Sequence, residues 1–349
     1  MEEEAGTHKQ YNTQKWNHVL EDILTAGAAT KEPVSNTVHH LPGYLSWWKI
    51  AVVLLLAAGT CAVMLEQRPV KQPAPLTKKA VYENNVPPGR EGASLKLADG
   101  KTILIDSVAD GLIAIQGKDS IYKQKGKIIY KGTGTEPVYN EISTVRGRQW
   151  VVALPDGTIV YLNAASSIRY PLNFARDQRT VEMAGEAYFT VVHDESRPFR
   201  VKTGNRQLVE DKGTEFNINA YEDEASIKTT LISGAANIIS SDEKVTLVPG
   251  QQASLRDDSQ HFQVYRQDLA SATAWKDGFF SFHDADIQMV MRQLARWYDV
   301  EVEYSNGIPK QLFEGEIERS FPLATVLEIL EKTNVHFRIV KDRKILILP

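Results

Sequence analysis

The sequence predicts a membrane-anchored, multi-domain chain: a single transmembrane helix, an all-β domain with a roll- or solenoid-like course, and a small α+β domain of order β-α-β-β-α-β-β. Three observations carry this. Residues 50–65 (IAVVLLLAAGTCAVML) hold no charge. Between about Ala93 and Leu255, short runs alternate apolar and polar residues around Gly and Asp-Gly. Beyond residue 271, helical periodicity returns twice between strand-like runs. The units implied are 1–44, a short segment with one amphipathic helix; 45–65, the span; 66–92, a proline-rich linker; 93–270, the β-domain; and 271–349, the α+β domain.

The chain has 349 residues, 42% hydrophobic and 24% charged, enough for two cores. A net charge of −4 argues against a surface that coats nucleic acid. The single cysteine, Cys61, lies in the apolar run, which leaves no disulfide or cysteine metal site elsewhere.

From Leu45 to Leu65 the chain offers about 21 residues, enough to cross ~30 Å of hydrocarbon at ~1.5 Å per residue. Tyr44, Trp47 and Trp48 form an interfacial aromatic belt, with Lys49 able to snorkel. A cleaved signal peptide needs a short basic leader, but 44 mixed residues come first. A buried core helix would carry a polar stripe, and Thr60 before Cys61 fits a lipoprotein site poorly. Flanking charge (Lys31 and Lys49 before, Arg68, Lys71, Lys78 and Lys79 after) read literally puts the large C-terminal part in the cytoplasm.

Ahead of the span, residues 14–26 place Trp16, Val19, Leu20, Ile23 and Leu24 on one helical face, stopped by Gly27. A lone amphipathic helix cannot bury its own stripe, so this face expects a partner. His39 and His40 have no further ligand nearby and read as linker. After the span, Pro69, Pro73, Pro75, Pro87 and Pro88 make a semi-rigid spacer.

The β region contains a repeat. Residues 97–106 (LADGKTILID) align with 154–163 (LPDGTIVYLN), each reading as strand, Asp-Gly turn, strand. Asp156, Asn163, Ser166, Ser167 and Arg169 would suit a catalytic loop, but a duplicated hairpin is architecture. In the last unit, 274–282 reads as a strand opening. Asp286 then caps a helix whose apolar face is Ile287, Val290, Met291, Leu294, Trp297 and Tyr298. Strands at 300–304 and 313–317, a helix over 323–332 and strands at 335–340 and 344–348 complete it, two helices against a sheet.

No catalytic or phosphate-binding motif is present, and no cofactor or metal is predicted. His193-Asp194-Glu195 and His283-Asp284 with Asp286 sit at junctions where acidic residues serve turns and caps. Glu186, Glu210, Asp211 and Glu215 could in principle pair for glycoside hydrolysis, but such pairs occur in any all-β domain of this size. The chain does not read as an enzyme.

The blocks LPDGTIVYLNAASSIRYP, VEMAGEAYFTVVHDESRPFRV and KGTEFNI, in that order, resemble the FecR-type anti-sigma regulators. AWKDGFFSFHDADIQMVMRQLARWYDVEVEY with FEGEI resembles the domain that follows FecR regions in the Bacteroidetes branch, itself similar to the short signalling domain of secretins and TonB-dependent receptors. The resemblance implies an inner-membrane, single-pass protein with its N-terminus in the cytoplasm and its C-terminal domains in the periplasm. It implies two partners, an extracytoplasmic-function sigma factor and the signalling domain of a TonB-dependent outer-membrane transporter, with no direct nucleic-acid contact. Trp16, Leu20, Ile23 and Leu24 would face the sigma factor. This topology opposes the charge count, but long domains translocate largely regardless of flanking charge. The pre-span segment is shorter than the family's usual several-helix module. The charged pair Glu210-Asp211 replaces an apolar pair before Gly213-Thr214, which is expected to loosen or expose a strand. The alternative is an anchored glycan-binding or structural β-protein. Its aromatic platform is missing if Tyr188, Phe189, Phe199 and Phe216 are core, as their alternation suggests.

Overall fold

The alternating runs become strands, and one bent strand organises them. A computed structural model of the chain describes residues 84–349, except 125, 126, 133, 135–137, 212, 342 and 349. The predicted span 45–65, its interfacial residues Tyr44, Trp47, Trp48 and Lys49, and the predicted partner face Trp16, Leu20, Ile23 and Leu24 lie outside the described residues. Among the described residues no helix is long and apolar enough to cross a membrane.

Arg179–Thr190 belongs to two sheets. Its first half pairs antiparallel with Ser167–Pro171 and parallel with Phe199–Thr203. Its second half pairs antiparallel with Ile159–Leu162 and Glu215–Ala220. Gly185 sits at the crossing with φ +81°, where a Cβ would stand 2.5 Å from Ser166 Oγ and 2.7 Å from the Ala165 carbonyl oxygen. Only glycine meets both demands. Gln207–Asp211, Ala236–Ile239 and Lys244–Leu247 extend the first sheet on one side, and Tyr139–Ser143, Ser94–Lys96 and Thr102–Leu104 on the other. Ser226–Ser233, Gln251–Arg256 and Phe262–Arg266 extend the second. A separate three-stranded sheet, 111–132, adds Ile121 and Ile128 to the same core.

That core draws Ile142, Ile168, Val181 and Val201 from one sheet and Val160, Phe189, Phe216 and Leu231 from the other. Phe189 stacks on Phe216 at 4.9 Å and leans on Phe199 at 6.2 Å. Phe189, Phe199 and Phe216 are fully buried and Tyr188 nearly so, as the alternation predicts.

The repeated hairpin is one structure used twice. Leu97 N–H donates to Lys101 O and Gly100 N–H to Leu97 O at 2.8 and 2.9 Å; Leu154 to Thr158 and Gly157 to Leu154 match at 2.8 and 2.9 Å. Gly100 and Gly157 have φ of +88° and +89°, and Asp99 and Asp156 each accept the amide two residues on. This is a turn closed by a glycine bulge. The copies then diverge. The first breaks into a 3₁₀ turn, Ile105–Ser107, while the second continues as a strand to Leu162.

The charged pair before Gly213 does not loosen its strand, contrary to expectation. Gln207–Asp211 is paired on both sides. Glu210 is held by Arg200, and buried Asp211 accepts the Gly213 and Thr214 amides at 3.0 and 3.1 Å. Each charge has local work, so an apolar pair is dispensable.

The C-terminal unit opens with a short helix absent from the sequence reading, α1 (Leu269–Thr273), capped by Asp268. The strand expected to open at 274 begins at Phe279. Helix α2 (Ile287–Tyr298) is capped by Asp286, whose side chain accepts the Met289 amide, and stops at Asp299 in the left-handed region. All six residues of its predicted apolar face are buried. Helix α3 spans Leu323–Leu330. The strands form two small sheets rather than the single one expected. Phe279–Asp286 pairs antiparallel with Leu312–Glu318, bulged between Phe282 and Ala285. Lys344–Leu348 runs between Glu301–Tyr304, parallel, and His336–Val340, antiparallel. One core cluster joins both sheets to the helices.

Candidate functional site

The two cores meet at a seam built from polar side chains. On the β-domain side, Asn163 ends the strand Ile159–Leu162. The chain then turns through Ala165 at φ +56° and returns as Ser167–Pro171. Glu186 follows the Gly185 bend, and its backbone N–H donates to Ser166 Oγ at 2.9 Å. Its carboxylate accepts Asn163 Nδ2 at 2.8 Å and Asn217 Nδ2 at 3.1 Å. Burial pushes the Glu186 carboxyl above the ordinary range. The two amides, and the nearby cations of Arg296 and Arg319, oppose that shift.

Arg319, placed just past the strand Leu312–Glu318, is the C-terminal unit's reply. Its guanidinium donates to Asn163 Oδ1 at 2.9 Å and to the Trp275 carbonyl at 3.0 Å, and lies 4.0 Å over the Trp297 ring. Trp275 in turn donates its indole N–H to Asn217 Oδ1 at 3.1 Å. Burial draws the Arg319 pKa down to about 10, against the attraction of Glu186. The residue remains charged at neutral pH, so the seam holds a buried cation near a buried carboxyl.

A second clamp lies at the rim. Helix α2 carries Arg292 and Arg296 one turn apart. Arg296 reaches Asp223 at 2.7 Å and Glu224 at 2.6 Å while stacking 4.0 Å over Tyr221, and Arg292 reaches Glu224 at 2.7 Å. Tyr221 donates to the Ala164 carbonyl at 2.6 Å, tying the rim back to the Asn163 turn. Behind the clamp opens a cleft of about 390 Å³, walled by Asn219, Lys228 and Gln252 on the β side and by Trp275, Met289 and Arg292 opposite.

Burial pushes the Glu224 carboxyl up, but hydrogen bonds from Arg292 and Arg296 outweigh it, and the group ends below its ordinary value of 4.5. A depressed carboxyl stabilises the fold above its unfolded pKa, and that stability is lost as the pH falls through the lower, folded value. The rim clamp is therefore expected to hold at neutral pH and to loosen only in acid below 4.5. Tryptophan fluorescence, sensing Trp275 and Trp297 at the seam, should show a step in acid that is missing from Arg292→Ala/Arg296→Ala.

Among the described residues no group of three His, Cys, Asp or Glu could hold a metal. Of the residues that first suggested catalysis, Asp156 pairs with buried Arg179 at 2.9 Å and Asn163 serves the seam. Arg169 pairs with Glu182 at 3.0 Å on the surface. Asp194 caps its own turn, and His283 bonds Glu314 at 2.8 Å. Of the four carboxylates weighed for hydrolysis, Glu215 accepts the Tyr188 hydroxyl at 2.6 Å, and the others are held as described. Arg296 and Arg319 escaped the sequence reading. The i, i+4 arginine pair on α2 was the available signal; Arg319 offers none, because its partners are remote in sequence.

The Gly185–Phe189 bend, the Asp156 hairpin and Phe216 all lie within a stretch that matches one family. Residues 140–237 match the family described as FecR protein, and residues 279–347 match FecR, C-terminal. Two crystal structures of a candidate anti-sigma factor from Parabacteroides distasonis ATCC 8503, at 1.65 Å and 2.50 Å resolution, are similar to this chain with a TM-score of 0.56. Each is 31% identical to it; the match covers 60% of this chain and 98% of theirs. The chain belongs to the FecR family of anti-sigma factors. No curated protein matches it. In this FecR protein the signature residues are architectural: Gly185 bends the shared strand, Phe189 and Phe216 fill the core, and Glu186 holds Asn163 and Asn217, whose amide oxygens accept from Arg319 and Trp275 of the C-terminal unit.

Proposed function

We propose that this FecR protein is an inner-membrane signal transducer and anti-sigma factor. It spans the membrane once through residues 45–65, with its N-terminus in the cytoplasm and the β-domain and C-terminal unit in the periplasm. Its N-terminal helix holds an extracytoplasmic-function sigma factor, and its C-terminal unit receives the state of a TonB-dependent outer-membrane transporter. The relay works by protein contacts, without chemistry of its own and without touching nucleic acid. The observation that carries this reading is the joining of a FecR unit to a FecR C-terminal unit across a polar seam, in a chain that bears an uncharged run of spanning length ahead of them. A fixed relation between two folded units is what a relay needs, because a signal must bias one arrangement over another. The strand Leu312–Glu318 pairs only with Phe279–Asp286 among the described residues, so its other side is available to an added strand of the transporter's signalling domain.

The sigma-facing assignment rests on Trp16, Leu20, Ile23 and Leu24. A Trp16→Ala/Leu20→Ala variant, present at normal abundance, is expected to lose at least tenfold in recovery of the co-encoded sigma factor by pull-down. Unchanged recovery would place the sigma contact elsewhere.

A further inference from the structure

Residues 85–89 read as the end of a proline-rich spacer, yet the C-terminal unit grips them. Asn85 Oδ1 accepts the Ala324 amide at 3.0 Å, and the Val86 carbonyl accepts the Leu323 amide, also at 3.0 Å. Helix α3 has no side-chain cap from its own neighbour Pro322, so its cap comes from 239 positions away. Val86 is 4% exposed and belongs to the C-terminal core rather than to that of the β-domain. Gly89 lies flat on Trp297: a Cβ there would stand 2.6 Å from the indole ring. Pro87 and Pro88 stiffen the piece between these anchors.

Immediately afterwards the chain changes sides. Arg90 N–H donates to Gly147 O at 3.0 Å and Gly92 N–H to Gln149 O at 3.1 Å, so Arg90–Glu91 runs parallel to Arg148–Ala153 in the β-domain. Gly147 N–H in turn donates to Arg296 O at 2.8 Å, back across the seam. The segment thus crosses the seam within a few residues and is bound on both sides.

We propose that residues 85–89 are a latch: an intrachain ligand of the C-terminal unit that couples docking of that unit on the β-domain to the grip on the chain leading from residues 1–83. Any partner that lifts the C-terminal unit must break the latch or the Arg90–Glu91 pairing, and either change reaches the upstream chain directly.

Hydrogen exchange on the full chain in detergent tests this, because the Leu323 and Ala324 amides report the latch itself. Asn85→Ala removes one acceptor, and Gly89→Ala wedges a methyl group against Trp297. In Asn85→Ala, exchange at Ala324 is expected to quicken about fivefold, the usual effect of losing a helix cap. In both variants the Gly147 amide and the Trp275 indole N–H, which lie on the seam, should quicken as well. Asn85→Asp keeps the acceptor and should restore protection at all of these sites. In the reverse direction, Arg292→Ala/Arg296→Ala opens the rim clamp with side chains that make no hydrogen bond to the latch, and should quicken Leu323 and Ala324. Coupling is reciprocal. Latch variants that change only residues 323–324, or clamp variants that leave those two amides protected, overturn the proposal.

Discussion

Asp156→Ala is expected to destabilise the β-domain by about 3–4 kcal/mol, read as a lower urea midpoint for the full chain in detergent. Asp156 and Arg179 are 5% and 1% exposed, so the pair is screened by protein rather than water. Arg179 also donates to the carbonyls of Arg197 and Val192 at 2.9 and 2.8 Å and lies 5.5 Å over Phe199. Removing the carboxylate leaves a cation in the core with only neutral acceptors. It also strips the Thr158 hydroxyl and amide of their partner, which opens the Asp-Gly turn. Asp156→Asn keeps an acceptor for the turn and should cost about half as much. Asp156→Leu/Arg179→Met removes both charges and should lie closer to wild type than either single change. A double variant as weak as the sum of the singles would show that the pair is not an interacting unit.

Arg319→Ala is expected to cost about 3–5 kcal/mol, concentrated at the seam. The change orphans Asn163 Oδ1 and the Trp275 carbonyl, bares one face of Trp297 and removes a cation that opposes the burial of Glu186. The Glu186 carboxyl, already raised by burial, should rise further. A raised carboxyl gives its stability below the unfolded pKa and loses it as the pH climbs through the folded value. The deficit of Arg319→Ala should therefore be larger at pH 8 than at pH 5, measured by chemical denaturation at both. Lysine should not rescue the loss, because one ammonium cannot span the two acceptors and lie flat on an indole. A deficit independent of pH would remove Glu186 from the account.

The sequence made local features visible. Asp-Gly turns announce themselves because only glycine takes φ near +88° cheaply there, and the twin hairpins share the same backbone turn hydrogen bonds. The α2 stripe is visible because its six apolar residues fall on one face of a regular helix, with a capping Asp286 in front. The phenylalanines at 189, 199 and 216 are visible by alternation. What stayed hidden depends on distance along the chain. Arg319 meets Asn163 across 156 positions and Asn85 meets Ala324 across 239, and no window of sequence spans such gaps. The short α1 escaped because five residues carry too little periodicity, although Asp268 marked its start. The division of the C-terminal strands into two sheets escaped because pairing partners are a tertiary choice.

The borrowed cap on α3 has a consequence for synthesis. A ribosome releases Asn85 long before Ala324, so the β-domain can assemble while its leading segment still has nothing to hold. Only when the last helix emerges does that segment find its seat. The final step of maturation thus reaches back to residues 85–89, and a chain truncated before α3 would leave them without that seat.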